Sequence, residues 1–420
     1  MVEYRKHILD NGLTLLTHEA WDTPMATVNL LYGVGSRDED PQRTGFAHLF
    51  EHLMFGGTRA VPDFDAVVSS LGGESNAFTN CDYTNYYMTV PADGLATALA
   101  LEADRMSGLD ITPHALEVQQ RVVTEEYHQR YMNHPYGDVW LLLRPLCYKV
   151  HPYRWPTIGA DIRHVSEATL DDVRAFHEKH YRPGNATLAI AGPVPHDEQL
   201  RLAEEAWNTK KNGASRPCKT SSPSYAAEPP QNAAREQHVV RGVPATKVYL
   251  AWHMCGHGEP MYRACDLLTD ILANGKSSRM HRRLVMEQGL MSEADASISG
   301  EQGPGLLVLS GTMAPGTDPE EGIAALRAEA MRLVDERVGD YELTKVQNKY
   351  ENTYVYSQYK AADRALGLCH YTWLGDTDLI NREPDEYRRV TADDLLEAAR
   401  TVFDPNKENR LYYEAERQDS

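Results

Sequence analysis

Two histidines and a glutamate stand in one short segment of the chain, in the order His48-x-x-Glu51-His52. Successive residues of an α-helix turn by ~100°, so these three side chains share one helical face. Two imidazoles one turn apart can hold a zinc ion, and the carboxylate between them can act on bound water. Gly56 and Gly57 predict where the helix ends. A catalytic zinc needs a third protein ligand, so a distant segment must fold onto this helix. The alternative is a surface helix with two unrelated histidines.

A second helix is predicted farther along the chain, at residues 117–126. The apolar residues Val118, Val122 and Val123 favour a helix with one buried stripe. The segment closes with two adjacent glutamates at positions 125 and 126.

Together the two segments resemble the pitrilysin-type metallopeptidases. That family carries H-x-x-E-H and then a helix of the form V-V-x-E-E, which supplies a glutamate ligand. Here the distance from His52 to Glu126 is 126 − 52 = 74 residues, as in the family. The resemblance implies that His48, His52 and Glu126 bind one zinc ion per chain and that Glu51 is the catalytic base. Glu125 is ~100° around the helix and is expected to be solvated.

Other landmarks of the family extend the resemblance over nearly the whole chain. They are Asn11–Thr14, Gly33–Glu39, Phe55–Thr58, Gly72–Gly73, Asn76–Thr79, Tyr86–Tyr87, His151–Tyr153 and Tyr181–Ala186. In the family, a substrate peptide lies as an added β-strand along the segment that corresponds to Asn76, Ala77, Phe78 and Thr79. The alternative is that these four residues only shape a turn and a strand.

The chain departs from the family pattern near the metal. Seven residues before the ligand glutamate, the family has a second glutamate, and this chain has Gln119. A neutral amide beside the ligands would change the charge around them and would tune metal affinity or activity.

A second departure lies in the C-terminal half. Residues 275–284 resemble a helix start of the family, G-x-x-S-R-L. Self-sufficient members then carry an arginine and, seven residues later, a tyrosine that hold the substrate near the zinc; this chain has Val285 and Ser292. The resemblance therefore implies a related partner chain without zinc that supplies the Arg/Tyr pair, as in two-chain enzymes like the mitochondrial processing peptidase. A homodimer that binds substrate in another way is the alternative.

Composition limits the partners and the compartment. The 420 residues include 42 basic and 61 acidic side chains, a net charge of −19, which disfavours nucleic acid and anionic membranes as partners. No apolar run approaches the ~18 residues that span a bilayer, and the N-terminus resembles no signal peptide. Six cysteines without C-x-x-C spacing indicate free thiols. We expect a cytoplasmic protein, or a periplasmic one if an export signal precedes this sequence.

Strand-like runs and amphipathic helices recur in both halves of the chain and predict an α+β fold. The helices are predicted at residues 63–71 and 95–106 in the first half and at 261–272 and 319–337 in the second. The expected architecture is two tandem related domains, each a mostly antiparallel sheet packed with helices, as in half of the family's clamshell. The predicted boundaries are 1–210 for the zinc-binding domain, 211–236 for a linker rich in Pro, Ser and Asn, and 237–420 for a related domain without the motif.

The expected function is zinc-dependent endoproteolysis of peptides or unfolded segments, by the catalytic subunit of a heterodimer. The alternatives are a self-sufficient homodimeric peptidase and a non-catalytic structural or assembly subunit, and the intact H-x-x-E-H motif argues against the latter.

Overall fold

A computed structural model describes residues 1–208 and 225–416 of the chain. In chain order the strands and helices are β1 (Arg5–Ile8), β2 (Thr14–Glu19), β3 (Met25–Tyr32), α1 (Phe46–Leu53), α2 (Phe64–Ser70), β4 (Glu74–Thr79), β5 (Thr84–Pro91), α3 (Leu95–Ser107), α4 (Pro113–Tyr127), α5 (Val139–Cys147), α6 (Arg163–Ser166), α7 (Leu170–His180), β6 (Ala186–Gly192), α8 (His196–Asn208), β7 (Arg235–Arg241), β8 (Lys247–Met254), α9 (Tyr262–Ala273), β9 (Met291–Ile298), β10 (Gly305–Met313), α10 (Pro319–Asp335), α11 (Asp340–Ser357), α12 (Ala361–Leu374), α13 (Leu379–Arg389), α14 (Ala392–Val402) and β11 (Asn409–Ala415). None of the helices in the described ranges combines the length and the apolar composition that a bilayer crossing requires.

Two β-sheets with the same strand topology organise the chain. The first has the order β1-β2-β6-β3-β5-β4 and the second the order β7-β11-β8-β10-β9. Apart from the additional β1, the strands correspond one to one. In each sheet the first pair of this common set is parallel, and the other three pairs are antiparallel. The prediction of two tandem related units with mostly antiparallel sheets is confirmed.

The described residues form two compact units, and each contains one sheet. Unit 1 consists of Met1–His128, Trp155–Tyr225 and Val355–Arg382; unit 2 consists of Gln129–Arg154, Ala226–Tyr354 and Glu383–Ser420. Both units therefore include a segment from the other half of the chain. The predicted domains, 1–210 and 237–420, are continuous and do not include this exchange. Most of the predicted linker lies outside the described residues, and β7 begins at Arg235, within its last two positions.

The exchange follows from the need to cover both faces of a central strand. All residues of β3 after Met25 are buried. Because neighbouring side chains on a strand point to opposite faces, such a run requires packing on both sides of the sheet. Helix α12 packs on β3 and β6, and Leu368 of this helix joins Leu16, Leu31 and Ala189 in one buried cluster. In unit 2, α5 from the N-terminal half packs against β7, β8 and β11.

Helix α4 forms where it was predicted, but the predicted buried stripe is wrong. Leu116 and Val123 are 4% and 0% exposed, whereas Val118 and Val122 are 38% and 42% exposed. Val122 and Val123 are adjacent and point ~100° apart, so they cannot both lie at the centre of one buried face. The buried face instead consists of Leu116, Gln120 and Val123. The side-chain amide of Gln120 donates to two backbone carbonyls, one near the end of α6 and one just after this helix.

We expect Leu368→Ala to destabilise unit 1, because the substitution leaves a cavity between α12 and the first sheet. Leu368 is 0% exposed, and a buried Leu→Ala change typically lowers the free energy of unfolding by about 2–5 kcal/mol. Urea denaturation of the purified chain measures this change. The control is Val355→Ala, in the same unit at a position that is 62% exposed, where a shift within about 0.5 kcal/mol is expected. Equal effects of the two substitutions would contradict the packing role of α12.

Candidate metal centre

Helix α1 presents one face to the core of unit 1 and the opposite face to the candidate site. Leu49 and Phe50 are 0% exposed and point into the core. The face that carries His48, Glu51 and His52 is therefore directed away from the core. Aromatic packing fixes the buried face, since the ring of Phe50 stacks on that of Tyr181 with centroids 5.1 Å apart.

The start of α1 requires a glycine and is capped from a distance. Gly45 has a φ of 89°, and a Cβ atom there would lie 2.8 Å from the carbonyl oxygen of Ile158. The carboxylate of Glu39 accepts hydrogen bonds from the backbone N–H groups of Gly45 and Ala47, both at 2.8 Å. Burial raises the pKa of Glu39, but these two donors and the side chain of Trp155 oppose the increase, because they favour the ionised form in which both oxygens accept.

The structure brings His48, His52 and Glu126 together. The Nε2 atom of His48 lies 3.7 Å from Oε1 of Glu126, and Nε2 of His52 lies 3.3 Å from Oε2. Two ligand atoms of a tetrahedral zinc ion, each ~2.0–2.1 Å from the metal, are ~3.4 Å apart. One ligand atom from each residue lies within 4.8 Å of those of the other two, and no second such group of three occurs in the described ranges.

This donor set fits a catalytic zinc ion. Two imidazole nitrogens and one carboxylate oxygen are a ligand set that zinc hydrolases use, and they leave one coordination position free. The side chains of His48, His52 and Glu126 are 12%, 24% and 16% exposed, so solvent reaches the cluster. The neighbouring Glu125 is exposed, as the sequence predicted.

Glu51 lies on the ligand face without belonging to the three-residue cluster. It is half-buried and electrostatically close to a pair of buried tyrosines, Tyr86 and Tyr181, whose hydroxyl oxygens are 3.1 Å apart. Burial raises the pKa of both tyrosines, and the charge of Glu51 contributes to the increase. A carboxylate on the ligand face that does not itself complete the metal site is available as a base.

A buried ion pair in the same unit was not predicted from the sequence. Arg105 and Glu102 are 2% and 0% exposed, and the Nε atom of Arg105 donates to Oε2 of Glu102 at 2.7 Å. The Arg105 guanidinium lies 4.7 Å from the ring centres of both Phe64 and Tyr86. Arg105 thus packs against Tyr86, one of the two tyrosines whose pKa the charge of Glu51 raises. An i,i+3 Glu–Arg spacing on a largely apolar helix was the available signal, but such spacings usually indicate a solvated face.

Gln119 lies on α4, seven residues before Glu126 and so ~10 Å from it along the helix axis. It lines a cavity of about 190 Å³ together with Leu53 and Gly57, which end and follow α1. Its predicted influence on the metal stays a prediction.

The four residues predicted to bind substrate lie on β4, which is an edge strand of the first sheet and contacts α1. Asn76 and Phe78 are paired with Tyr87 and Asn85 of β5, and within the described ranges no strand pairs with the other side of β4. The structure therefore places an open strand edge beside the metal helix.

The positions that would carry the Arg/Tyr pair lie in unit 2. Val285 is half-buried against the core of this unit, and Ser292 is exposed on β9. The nearby Arg279 forms a bidentate ion pair with Glu342, with N–O distances of 3.0 and 2.6 Å. This pairing agrees with a structural role for Arg279.

Profiles of one peptidase family match most of the chain. The profile described as "Insulinase (Peptidase family M16)" matches residues 14–144, which include the metal cluster. The profile described as "Peptidase M16 inactive domain" matches residues 167–350, which contain no H-x-x-E-H motif.

Full-length relatives carry zinc protease names. The chain is 27% identical to the zinc protease PqqE of Helicobacter pylori over 416 residues, covering 96% of this chain and 91% of that protein. It is 26% identical to an uncharacterized zinc protease of Streptomyces coelicolor over 406 residues, covering 95% and 87%.

Solved structures show the same fold. A protease from Helicobacter pylori superposes with a TM-score of 0.90 at 25% identity, covering 99% of this chain and all of the other. Pitrilysin superposes with a TM-score of 0.77 at 18% identity, covering 98% of this chain but only 45% of pitrilysin. With both halves of the sequence matched by profiles of one family, and with this fold, the chain belongs to the pitrilysin-type peptidase family, M16.

Proposed function

We propose that this protein is a zinc-dependent endopeptidase that hydrolyses peptides or unfolded polypeptide segments. The observation that carries the proposal is the convergence of His48, His52 and Glu126, with Glu51 on the same helical face. A structural subunit would need neither a complete ligand set nor a base beside it. The inactive-domain profile matches only the part of the chain that lacks this set.

The proposed site residues of unit 1 have separate roles in the reaction. His48, His52 and Glu126 would hold the zinc ion, which, when bound, polarises the peptide carbonyl and acidifies water as a Lewis acid. Glu51 takes a proton from the attacking water and passes it to the leaving amine, the usual work of a general base that then acts as an acid. The peptide is held in an extended conformation by backbone hydrogen bonds to the free edge of β4, which supports cleavage of unfolded rather than folded segments.

We further propose that the chain works with a second, related chain that lacks zinc. Neither Val285 nor Ser292 can supply the donors of an arginine and a tyrosine, since valine has no donor and serine is too short. The neighbouring arginines are already in ion pairs: Arg279 with Glu342, Arg282 with Glu287 and Arg283 with Glu329. A homodimer that holds the substrate in another way remains the alternative.

The first prediction concerns the metal. Metal-replete wild-type protein should contain about one equivalent of zinc per chain, and Glu126→Gln should lose most of it, because a coordinating carboxylate is removed. Elemental analysis after gel filtration measures the content. Glu125→Gln is the matched control on the same helix and should keep its zinc. Loss of zinc in the control, with retention in Glu126→Gln, would contradict the assigned ligand.

The second prediction separates binding from chemistry. Glu51→Gln should retain zinc but hydrolyse a fluorogenic peptide at least ~10²-fold more slowly, because a general base typically contributes that much. Zinc content and turnover are measured on the same preparation, with Glu125→Gln as the control for the loss of one carboxylate. A zinc-loaded Glu51→Gln chain with wild-type turnover would show that another group is the base.

The third prediction concerns the second chain. A positioned donor near a developing oxyanion is worth about 10²–10³ in rate, so the purified chain alone should be slower by this order than a mixture with its partner. Turnover of an unfolded peptide is measured while a related chain without H-x-x-E-H is titrated in. Equal rates with and without that chain would exclude the two-chain arrangement and favour a self-sufficient homodimer.

A further inference from the structure

The loop that precedes α1 is hydrogen-bonded to two separate parts of unit 1. At its C-terminal end, Glu39 binds the first turn of α1 through the N–H groups of Gly45 and Ala47. These groups have no acceptor inside a helix. Gly45 has no side chain with which to cap them, and a carboxylate six residues upstream takes that role. Glu39 is 6% exposed, so the bonds are shielded from water.

The other end of the loop is bound to the turn that follows the edge strand β4. The N–H groups of Ser36 and Arg37 donate to the carbonyls of Asn80 and Cys81, at 3.2 and 2.9 Å. The Arg37 side chain donates to Asp82 at 2.6 Å, in a pair whose members are 6% and 5% exposed. A single short segment thus connects the strand proposed to hold the substrate with the helix proposed to hold the metal.

We propose that Glu39 is a positioning residue for the metal centre: it fixes the first turn of α1, relative to the turn after β4, so that His48 and His52 face Glu126. Helix α1 has only eight residues. His48 directly follows Ala47, and the N–H group of Ala47 donates a hydrogen bond to Glu39. A small rotation of the first turn therefore displaces the first ligand before the second. The inference rests on the proposed function for its kinetic readout but not for its binding readout.

The decisive variant is Glu39→Gln, which has nearly the same size. The amide retains one acceptor and places an NH₂ group against one of the two backbone donors, so the first turn of α1 has to shift. The zinc Kd is measured by chelator competition, folding by near-ultraviolet circular dichroism, and kcat and KM with a fluorogenic peptide. We expect a folded chain whose zinc Kd is weakened ~10–100-fold, the range typical of groups that orient ligands. We also expect kcat to fall while KM changes little, because β4 is unaltered.

The matched control is Asp38→Asn. Asp38 is the adjacent acidic residue and its side chain is 11% exposed. It accepts from the N–H group of Gly35 and lies 3.8 Å from Nε of Arg37, so both partners belong to the loop and not to α1. The Asp38→Asn variant should keep the wild-type zinc Kd. If Glu39→Gln does not fold, Glu39→Asp keeps both acceptor oxygens and shortens the reach by one methylene, and an intermediate loss of affinity is expected.

Three outcomes overturn the positioning role: a folded Glu39→Gln with wild-type zinc Kd, an unchanged Kd in Glu39→Asp, or an equal loss in Asp38→Asn. The failure of the proposed function is distinguishable from these. It would show as a wild-type chain that binds no zinc or that binds zinc and cleaves no peptide, with or without a partner.

Discussion

The contact between α1 and α4 is the interaction on which the rest of the structure depends. Metal donors must be placed to within about half an ångström, so two helices that are distant in sequence have to be held firmly. Buried side chains fix α1 from behind, and the face of Leu116, Gln120 and Val123 fixes α4. Glu126 is ~60° from Val123 around the helix, at the margin of this buried face, and can therefore turn toward the histidines without leaving the protein.

The two units show how one scaffold can carry chemistry in a single copy. In unit 1, α1 lies in the chain between β3 and β4; in unit 2, α9 lies between the corresponding strands, β8 and β9. Helix α9 is occupied by buried apolar residues such as Leu267, Leu268 and Ile271 and has no ligand motif. The sheet topology is the same in both units, so what distinguishes unit 1 is a few side chains of α1 and α4 and not the fold.

Local sequence patterns sufficed for several of the helices and for the two histidines of the cluster. The predicted helices at 63–71, 95–106, 261–272 and 319–337 agree with α2, α3, α9 and α10 to within about two residues, because each has a strong 3.6-residue period. Helical geometry alone places His48, Glu51 and His52 on one face, whereas Glu126 was predicted from the resemblance to the family.

Features that depend on distant contacts could not be predicted in this way. The roles of Glu39 and of the Glu102–Arg105 pair arise from burial that no local period reveals. The prediction of the buried face of α4 was wrong because residues 118 and 122 satisfy a helical period and yet face away from the packed side. The swapped positions of α5 and α12 have no local signal at all, since an amphipathic helix does not specify which sheet it covers.

The exchange of helices also bears on how the chain is made. Synthesis proceeds from the N-terminus, and domains generally fold as units as they emerge. Unit 1 has all its strands once β6 has been made, yet one face of its sheet waits for α12, which follows some 170 residues later (361 − 192 = 169). Until then Leu16, Leu31 and Ala189 lack their cover, and the nascent chain exposes an apolar sheet surface. One face of the first sheet therefore stays uncovered until the second half has been synthesised, and maturation of unit 1 is tied to completion of that half.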